Sequence, residues 1–398
     1  MKKSIVKLFI ISFVSINLFG CSSVKRNVDK EKWSVLMAKS EIKRFPEPWM
    51  IENAKKPRWG YTHGLVVKSM IELTKFSGDS LYYNYAKIYA DSLIDKDGKI
   101  KTMEYLSFNI DNVNAGKTLF DFYKVSGDKK YKIALDTLAK QISEQPRTSE
   151  GGFWHKKKYE HQMWLDGIFM ASPFLAQYGS EFKNQSLCDE AVKQIKLIAT
   201  HTYDKKTGLF YHGWDESKKQ DWADKTTGCS RNFWSRSIGW YAAGIVDVLD
   251  YIPQQTEGRD SLLTLVKTLA DGMLKFQDNK SGVWWQVTDQ ADRKGNYLES
   301  SASSLFVYFL AKSINNGYLS SDYKKATLKA YDGIIKNFIK KEDDGSFTIT
   351  NCCAVAGLGG SGNRDGSFAY YVGEPVIDND PKSVGSFILA AIEIEKMK

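Results

Sequence analysis

The sequence predicts an all-α protein, an (α/α)6 barrel of six helical hairpins. Apolar residues recur at helical spacing along most of the 398 residues, and a unit of two helices followed by a long loop repeats six times. Strand-like alternation is confined to short pieces such as residues 283–287. The first helix of each unit is more apolar than the second, which indicates two concentric rings. An open α-solenoid is the alternative, but short turns within the hairpins and long loops between them favour the barrel.

The first helices open with small residues, which let neighbouring helices approach closely. We expect them to begin near Tyr61, Val113, Leu165, Ser237, Ser300 and Ser383. We expect the second helices over residues 29–44, 79–95, 128–144, 182–200, 258–277 and 322–341. Gly-Asp turns at residues 78–79 and 127–128 are typical of sites where one helix ends and the next is capped. The units therefore alternate an inner helix with an outer one.

Long loops lead from each second helix to the next first helix. They cover about residues 45–60, 96–111, 145–164, 201–236, 278–299 and 342–382. In a barrel, all of these loops gather at the end where the inner helices begin. Helix N-termini favour anions, and loops on a rigid scaffold commonly carry function. The sequence therefore predicts a functional site at this end.

Residues 1–20 have the order of an export signal, with Lys2 and Lys3 before an apolar run and a small residue before Cys21. Residues 18–21 resemble a bacterial lipobox, so we expect Cys21 to be lipidated and to begin the mature chain. Residues 21–28 would then be a tether and residues 29–398 a single barrel domain. This predicts an exported lipoprotein in the periplasm or outer membrane of a Gram-negative bacterium. A cleaved signal with an incidental cysteine is the alternative.

The composition narrows the class of partner. The formal net charge of +9 suits acidic glycans, while the absence of a dense Lys/Arg stripe argues against nucleic acid. The five His include no pair at His-x-x-x-His spacing, and no Cys-x-x-Cys occurs, so we predict neither a metal nor another cofactor. The 11 Trp indicate stacking surfaces of the kind that bind sugars.

Two carboxylates fall at neighbouring inner-helix starts. Asp166 lies in "HQMWLDGIFMASPFLA" (161–176), a stretch otherwise typical of a buried helix, and Asp111 ends the preceding long loop. Each has a simple interpretation as a helix cap, but a pair of carboxylates is also what glycoside chemistry commonly uses. Enclosure among aromatic residues and a nearby carboxylate both raise the pKa of a carboxyl group, while the helix N-terminus lowers it. We expect a raised apparent pKa that belongs to the pair and not to Asp166 alone.

Aromatic and basic residues accompany these carboxylates on the same loops. Arg236 lies between Trp234 and Trp240, and an arginine suits bidentate recognition of a carboxylate while tryptophans stack on pyranose rings. The alternative places both tryptophans in the core. Further candidates are His155, Trp164, Tyr61 and His212, although a loop histidine is often merely solvated.

These segments resemble the unsaturated rhamnogalacturonyl hydrolases of glycoside hydrolase family 105 and, more distantly, the unsaturated glucuronyl hydrolases of family 88. The resemblance runs from residues 58–61 through "WWQVTDQADRKGNYLESSAS" (284–303) and "CAVAGLGG" (353–360) to "GEPVIDNDPKSVGSFILAAIE" (373–393), nearly the whole mature chain. It implies an (α/α)6 barrel without a metal or other cofactor. It also implies a hydrolase that removes a 4,5-unsaturated uronic acid from the non-reducing end of lyase products.

The resemblance assigns roles to the candidates. It makes Asp166 the proton donor to C4 and the base for the water that adds at C5, with Asp111 as its partner. Around the unsaturated sugar it places His212, Arg236, Trp234, Trp240, His155, Tyr61 and Trp164. Unsaturated galacturonyl-rhamnose is the expected substrate, and unsaturated glucuronyl fragments of ulvan or arabinogalactan are the alternative. A polysaccharide lyase and a non-catalytic, lipid-anchored glycan-binding protein are the rival functions.

Overall fold

Helices dominate the structure, a computed structural model that describes residues 31–360, 362 and 364–397. In chain order they are Trp33–Arg44 (α1), Tyr61–Ser77 (α2), Ser80–Leu93 (α3), Asp111–Gly116 (α4), Leu119–Ser126 (α5), Lys129–Ser143 (α6), Leu165–Glu181 (α7), Gln185–Thr202 (α8), Ser235–Leu249 (α9), Arg259–Lys275 (α10), Ser300–Asn315 (α11), Lys324–Phe338 (α12), Phe368–Gly373 (α13) and Pro381–Lys396 (α14). All six inner helices begin within two residues of their predicted starts, since α4 and α5 together form the second of them.

The inner helices form a closed ring. Going round the barrel, α2, α4, α7, α9, α11 and α14 each contact the next, and α14 contacts α2 again. The helices α3, α6, α8, α10 and α12 pack outside this ring, and α1 packs against α14 to supply the sixth outer helix. The two rings differ in burial as expected: α9 buries 14 of its 15 residues and α10 only 6 of its 17. The predicted (α/α)6 barrel is confirmed.

Small residues bring the inner helices close together. A Cβ atom added at Gly64 in α2 would lie 2.5 Å from the Cα of Ala115 in α4. The predicted turns are also present, because Gly78 and Gly127 adopt left-handed φ values of 77° and 68°. Asp79 and Asp128 then cap α3 and α6 by accepting hydrogen bonds from backbone N–H groups.

A proline interrupts the hydrogen bonds of α7 without ending the helix. Pro173 has no N–H, so the carbonyl of Phe169 one turn earlier has no donor within the helix. The side chain of Lys117, between α4 and α5, replaces it: Lys117 Nζ donates to that carbonyl at 2.9 Å and lies 3.7 Å from the centre of the Phe169 ring. Burial lowers the pKa of Lys117 to about 7. Two neighbouring inner helices are therefore joined by one side chain.

Short strands occur only in the loops. Gln162–Trp164 (β1) pairs with Gly213–Asp215 (β2), Ile339–Lys341 (β3) with Phe347–Ile349 (β4), and Cys352–Cys353 (β5) with Val376–Ile377 (β6), all antiparallel. The stretch 283–287 contributes only isolated bridges. The β1–β2 pair, in which Trp164 lies opposite Gly213, was not predicted from the sequence. This pair brings the start of α7 beside the segment that carries His212.

The predicted signal segment and the whole predicted tether, including Cys21, lie outside the described residues. Lys32–Lys398 forms one compact unit. Within the described ranges, no helix combines the length and apolarity needed to cross a membrane.

His63 makes the stability of this fold depend on pH. The side chain is fully buried in α2, stacked on Tyr89, and burial together with the charge of Arg58 lowers the pKa of His63 to about 4. Unfolded histidine titrates near pH 6.5, so between about pH 6.5 and 4 the unfolded state binds the extra proton more tightly. We expect this residue to lower the free energy of unfolding by about 3 kcal/mol as pH falls through that window. Urea denaturation at pH 4 to 7 measures it.

The control for this effect is His63→Gln, which removes the titrating group and keeps a polar side chain. The difference in unfolding free energy between the two proteins should shrink as pH is lowered. Parallel pH profiles for wild type and variant would contradict the assignment.

Candidate active site

A cavity opens at the end of the barrel where the inner helices begin. Of the nine cavity residues that the sequence analysis predicts, eight line it: Tyr61, Asp111, His155, Trp164, Asp166, Trp234, Arg236 and Trp240. The ninth, His212, is fully buried and contacts Asp166. The structure thus brings all nine to one place, and loops 145–164 and 342–382 add Lys156, Tyr159, Val355, Ala356, Gly357 and Arg364 to its walls.

Three neighbouring inner helices position the two carboxylates and Arg236. Asp111 is the first residue of α4 and Asp166 the second of α7, while Arg236 is the second of α9. The cap position of α7 is Trp164, and no side-chain hydrogen bond caps this helix. Asp166 is therefore not explained as a helix cap. Its position at the positive end of α7 instead turns a carboxyl group into the cavity.

His212 supports Asp166 from behind. Nε2 of His212 lies 3.1 Å from Oδ2 of Asp166, and Nδ1 lies 2.8 Å from the hydroxyl oxygen of Tyr371. The contact with Asp166 lacks hydrogen-bond alignment, and Oδ2 has no hydrogen-bond partner among the described residues. A buried polar atom without a partner is costly. The carboxyl group of Asp166 therefore lines the cavity with hydrogen-bonding capacity that the described residues leave unused.

Tyr371 is expected to act by orienting His212. The substitution Tyr371→Phe removes the partner of Nδ1, which fixes the ring and its tautomer. We expect kcat on an unsaturated uronate to fall about tenfold and KM to stay within about twofold. The matched control is Tyr211→Phe, which removes a nearby phenol hydroxyl outside this contact. A rise in KM with unchanged kcat would contradict an orienting role.

Asp111 is held as an anion by two basic side chains. Its carboxylate lies 2.6 Å from Lys156 Nζ and 3.1 Å from His155 Nε2. Burial raises the pKa of Asp111, but the charges of Lys156 and His155 outweigh burial and hold the pKa well below its usual range. The contact between Lys156 and Asp111 was not predicted from the sequence, and it makes Asp111 the ionised member of the pair.

Aromatic rings form the walls. Trp164 stacks on His155 with ring centres 4.4 Å apart, and on Tyr159 at 4.7 Å. On the other side, the Trp234 ring lies 4.7 Å from His212 and stacks on Tyr371 at 5.8 Å. Trp164 is 6% exposed and Trp234 is 1% exposed, so these rings pack mainly against protein and present only a small part of their surface to the cavity.

Arg236 supplies a buried positive charge. Arg236 is only 1% exposed. Its Nη1 donates hydrogen bonds to the carbonyl of Cys353 at 2.5 Å and to Ser301 Oγ at 3.3 Å. Glu299 lies 3.8 Å away, and its carboxylate accepts from the N–H groups of Ala302 and Cys353. Nε of Arg236 has no partner among the described residues. One edge of the guanidinium is therefore anchored, while the side chain lines a cavity that an anion can enter.

Several residues of the site were not predicted from the sequence. Lys156 lay in a lysine run that is typical of a solvated loop, and Tyr371 lay in a long loop without periodicity. Glu299 did carry a usable signal, since it directly precedes an inner helix as an acidic N-cap residue. Within the described ranges, no group of three or more His, Cys, Asp or Glu is arranged to hold a metal ion.

Comparison with known proteins identifies the family of the chain. The model of Glycosyl Hydrolase Family 88 matches residues 33–398. A solved glycoside hydrolase from family 105 of C. acetobutylicum ATCC 824 is 40% identical and covers 92% of this chain and 100% of its own, with a TM-score of 0.88. The unsaturated rhamnogalacturonyl hydrolase YesR of Bacillus subtilis is 26% identical over 281 residues, 68% of this chain and 75% of its own.

A third relative is named for a different substrate. The unsaturated 3S-rhamnoglycuronyl hydrolase of Formosa agariphila is 29% identical over 176 residues, 43% of this chain and 45% of its own. The family match nevertheless spans almost the whole described barrel. The chain therefore belongs to the unsaturated glycuronyl hydrolases of glycoside hydrolase families 88 and 105 and is a glycosidase.

Proposed function

We propose that the protein removes a 4,5-unsaturated galacturonic acid from rhamnose at the non-reducing end of lyase-generated rhamnogalacturonan fragments. The observation that carries the proposal is Asp166, a carboxyl group without a hydrogen-bond donor on its inner oxygen, in a cavity lined by Arg236 and Lys156. These cations favour a uronate carboxylate by charge. The name of the Bacillus subtilis relative supports the galacturonate and rhamnose parts.

The reaction is a hydration of the C4=C5 double bond. Asp166 gives its proton to C4 as the π electrons form the new C–H bond, and positive charge develops at C5 beside the ring oxygen. Water then adds at C5 and returns a proton to Asp166. The hemiketal at C5 opens to a ketone, and the hemiacetal at C1 releases the leaving sugar. Atoms balance with one water consumed.

Asp111 has a different role from Asp166. Because Lys156 and His155 keep it ionised, it accepts hydrogen bonds and does not donate a proton. We assign it to hydroxyl groups of the unsaturated sugar, which it would orient within the cavity.

Ultraviolet absorbance tests the proposed function. Purified protein incubated with unsaturated galacturonyl-rhamnose should abolish the absorbance of the double bond and release rhamnose. A lyase would create absorbance from an intact polymer. A glycan-binding protein would change neither signal, and either of these results would overturn the proposal.

We also propose that the protein is exported and anchored through lipid on Cys21, which rests on the lipobox-like residues 18–21 alone. Expressed with its leader, the wild type should partition into detergent, while Cys21→Ser should partition into water. Equal partitioning would contradict the anchor.

A further inference from the structure

A second cavity lies at the end of the barrel opposite the catalytic site. This far-end cavity has a volume of about 490 Å³, and all six inner helices contribute to its walls. Lys75 and Lys396 line it close to where α2 and α14 end, and their side chains are 48% and 42% exposed. The cavity therefore opens to solvent at this end and has the size of a small-molecule site. The proposed hydration does not use it.

One lysine of this cavity differs from the others in its partners. Four of the five lysines that line it have a carboxylate within 3.3 Å, namely Lys68 and Lys75 with Glu72 and Asp121, Lys312 with Asp247 and Asp250, and Lys396 with Glu393. The fifth, Lys117, is 4% exposed, and its Nζ donates a hydrogen bond to the carbonyl of Phe169. No carboxylate of the described residues lies within ion-pair distance of it. A buried ammonium group without a counter-ion is costly, so the neutral amine is favoured.

The surrounding charges act in the same direction on balance. Burial lowers the pKa of Lys117 to about 7. The charge of Asp247 opposes this shift, and the charges of Lys68 and Lys312 add to it. About half of the molecules therefore have a free lone pair on this nitrogen at neutral pH, against fewer than about one in a thousand for an ordinary exposed lysine. A desolvated lysine amine of this kind is a nucleophile for carbonyl carbons.

The walls of the far-end cavity indicate the class of carbonyl compound. Gln177 and Asn315 line it near the ends of α7 and α11, and they offer hydrogen-bonding groups to hydroxyls. Leu65 and Leu389 line it further from the ends of their helices. Because the charged groups near the opening are already paired with one another, an uncharged ligand with several hydroxyls suits this cavity better than an ion. Its carbonyl group would approach Lys117.

We propose that Lys117 forms an imine with the open-chain aldehyde of a sugar that enters the far-end cavity. The amine nitrogen attacks the carbonyl carbon and forms a C–N bond, and the carbonyl oxygen leaves as water with both amine protons. The imine nitrogen then takes a proton from solvent, which restores one N–H for the carbonyl of Phe169. The step is reversible and needs neither an oxidant nor a reductant. It is independent of the proposed hydration.

Reductive trapping on the full wild-type chain tests this proposal. Glyceraldehyde is the probe, and cyanoborohydride converts each imine into a stable secondary amine that peptide mass spectrometry locates. At pH 7, Lys117 should be labelled at least about tenfold faster than Lys75 and Lys396, because ammonium groups held in ion pairs offer no lone pair. Labelling of Lys117 should also saturate as the glyceraldehyde concentration rises, whereas labelling of the two exposed lysines should rise linearly.

Two comparisons separate a binding site from general amine reactivity, with Lys396 as the internal reference. In urea that unfolds the chain, Lys117 should lose its advantage over Lys396. Propanal has the same three carbons as glyceraldehyde but no hydroxyls, and relative to Lys396 it should label Lys117 at least about threefold more slowly. Labelling of Lys117 in the folded chain that is no faster than that of Lys396, that does not saturate, or that is equal for both aldehydes would overturn the inference.

Discussion

Replacing Asp166 with asparagine should lower kcat/KM on unsaturated galacturonyl-rhamnose by at least about 10³-fold. A positioned general acid or base contributes about 10²- to 10⁴-fold, and here one carboxyl group serves both proton transfers. Asparagine keeps the shape and the contact with His212 but cannot exchange the proton. The initial rate of absorbance loss measures the effect.

Stability should hardly change in this variant, because no side-chain hydrogen bond caps α7. The melting temperature and the affinity for the substrate should both stay close to wild type. The matched control is Asp260→Asn, an exposed carboxylate on the outer helix α10, which should leave the rate unchanged. Activity of Asp166→Asn within tenfold of wild type would remove Asp166 from the mechanism.

Replacing Glu299 with alanine should lower the free energy of unfolding by about 3–5 kcal/mol, the cost typical of removing one partner of a buried ion pair. Glu299 is fully buried and accepts hydrogen bonds from Ala302 N, Cys353 N and Ser301 Oγ. Its loss leaves these donors unsatisfied and Arg236 without its carboxylate. Urea denaturation at neutral pH gives the difference.

Glu299→Gln separates charge from hydrogen bonding. The amide oxygen of glutamine can still accept from the cap of α11, so this variant should lose clearly less stability than Glu299→Ala. Activity should fall in both variants, because Arg236 lines the catalytic cavity and is held in part by Glu299. An alanine variant with an unchanged denaturation midpoint would contradict the assignment.

The ring of helices and the two carboxylates were accessible from sequence because both depend on local patterns. Helical periodicity gave the inner helices to within two residues, and Asp111 and Asp166 were recognised by their places at helix starts. The break between α4 and α5 was not predicted, since no proline or glycine follows Gly116 directly. Gly116 was instead expected to lie inside one continuous helix.

Contacts between residues that are far apart in the sequence could not be predicted from local patterns. Tyr371 reaches His212 across 159 residues of sequence, and no local pattern marks either as the partner of the other. Lys156 acquires its role only when its loop folds over Asp111, and that contact lowers the pKa of Asp111. The pKa of a carboxyl group in such a pair depends on every charged group that packs around it. The sequence alone does not show which groups these are.

The bond from Lys117 to the carbonyl of Phe169 makes this lysine and Pro173 an epistatic pair. With alanine at position 173 an amide N–H would satisfy that carbonyl, and loss of the lysine would then leave no acceptor stranded. With proline in place, the same loss strands a buried acceptor. Substitutions at these two positions are therefore expected in a fixed order, in which Pro173 is replaced before Lys117. Relatives that lack the lysine are expected to lack the proline as well.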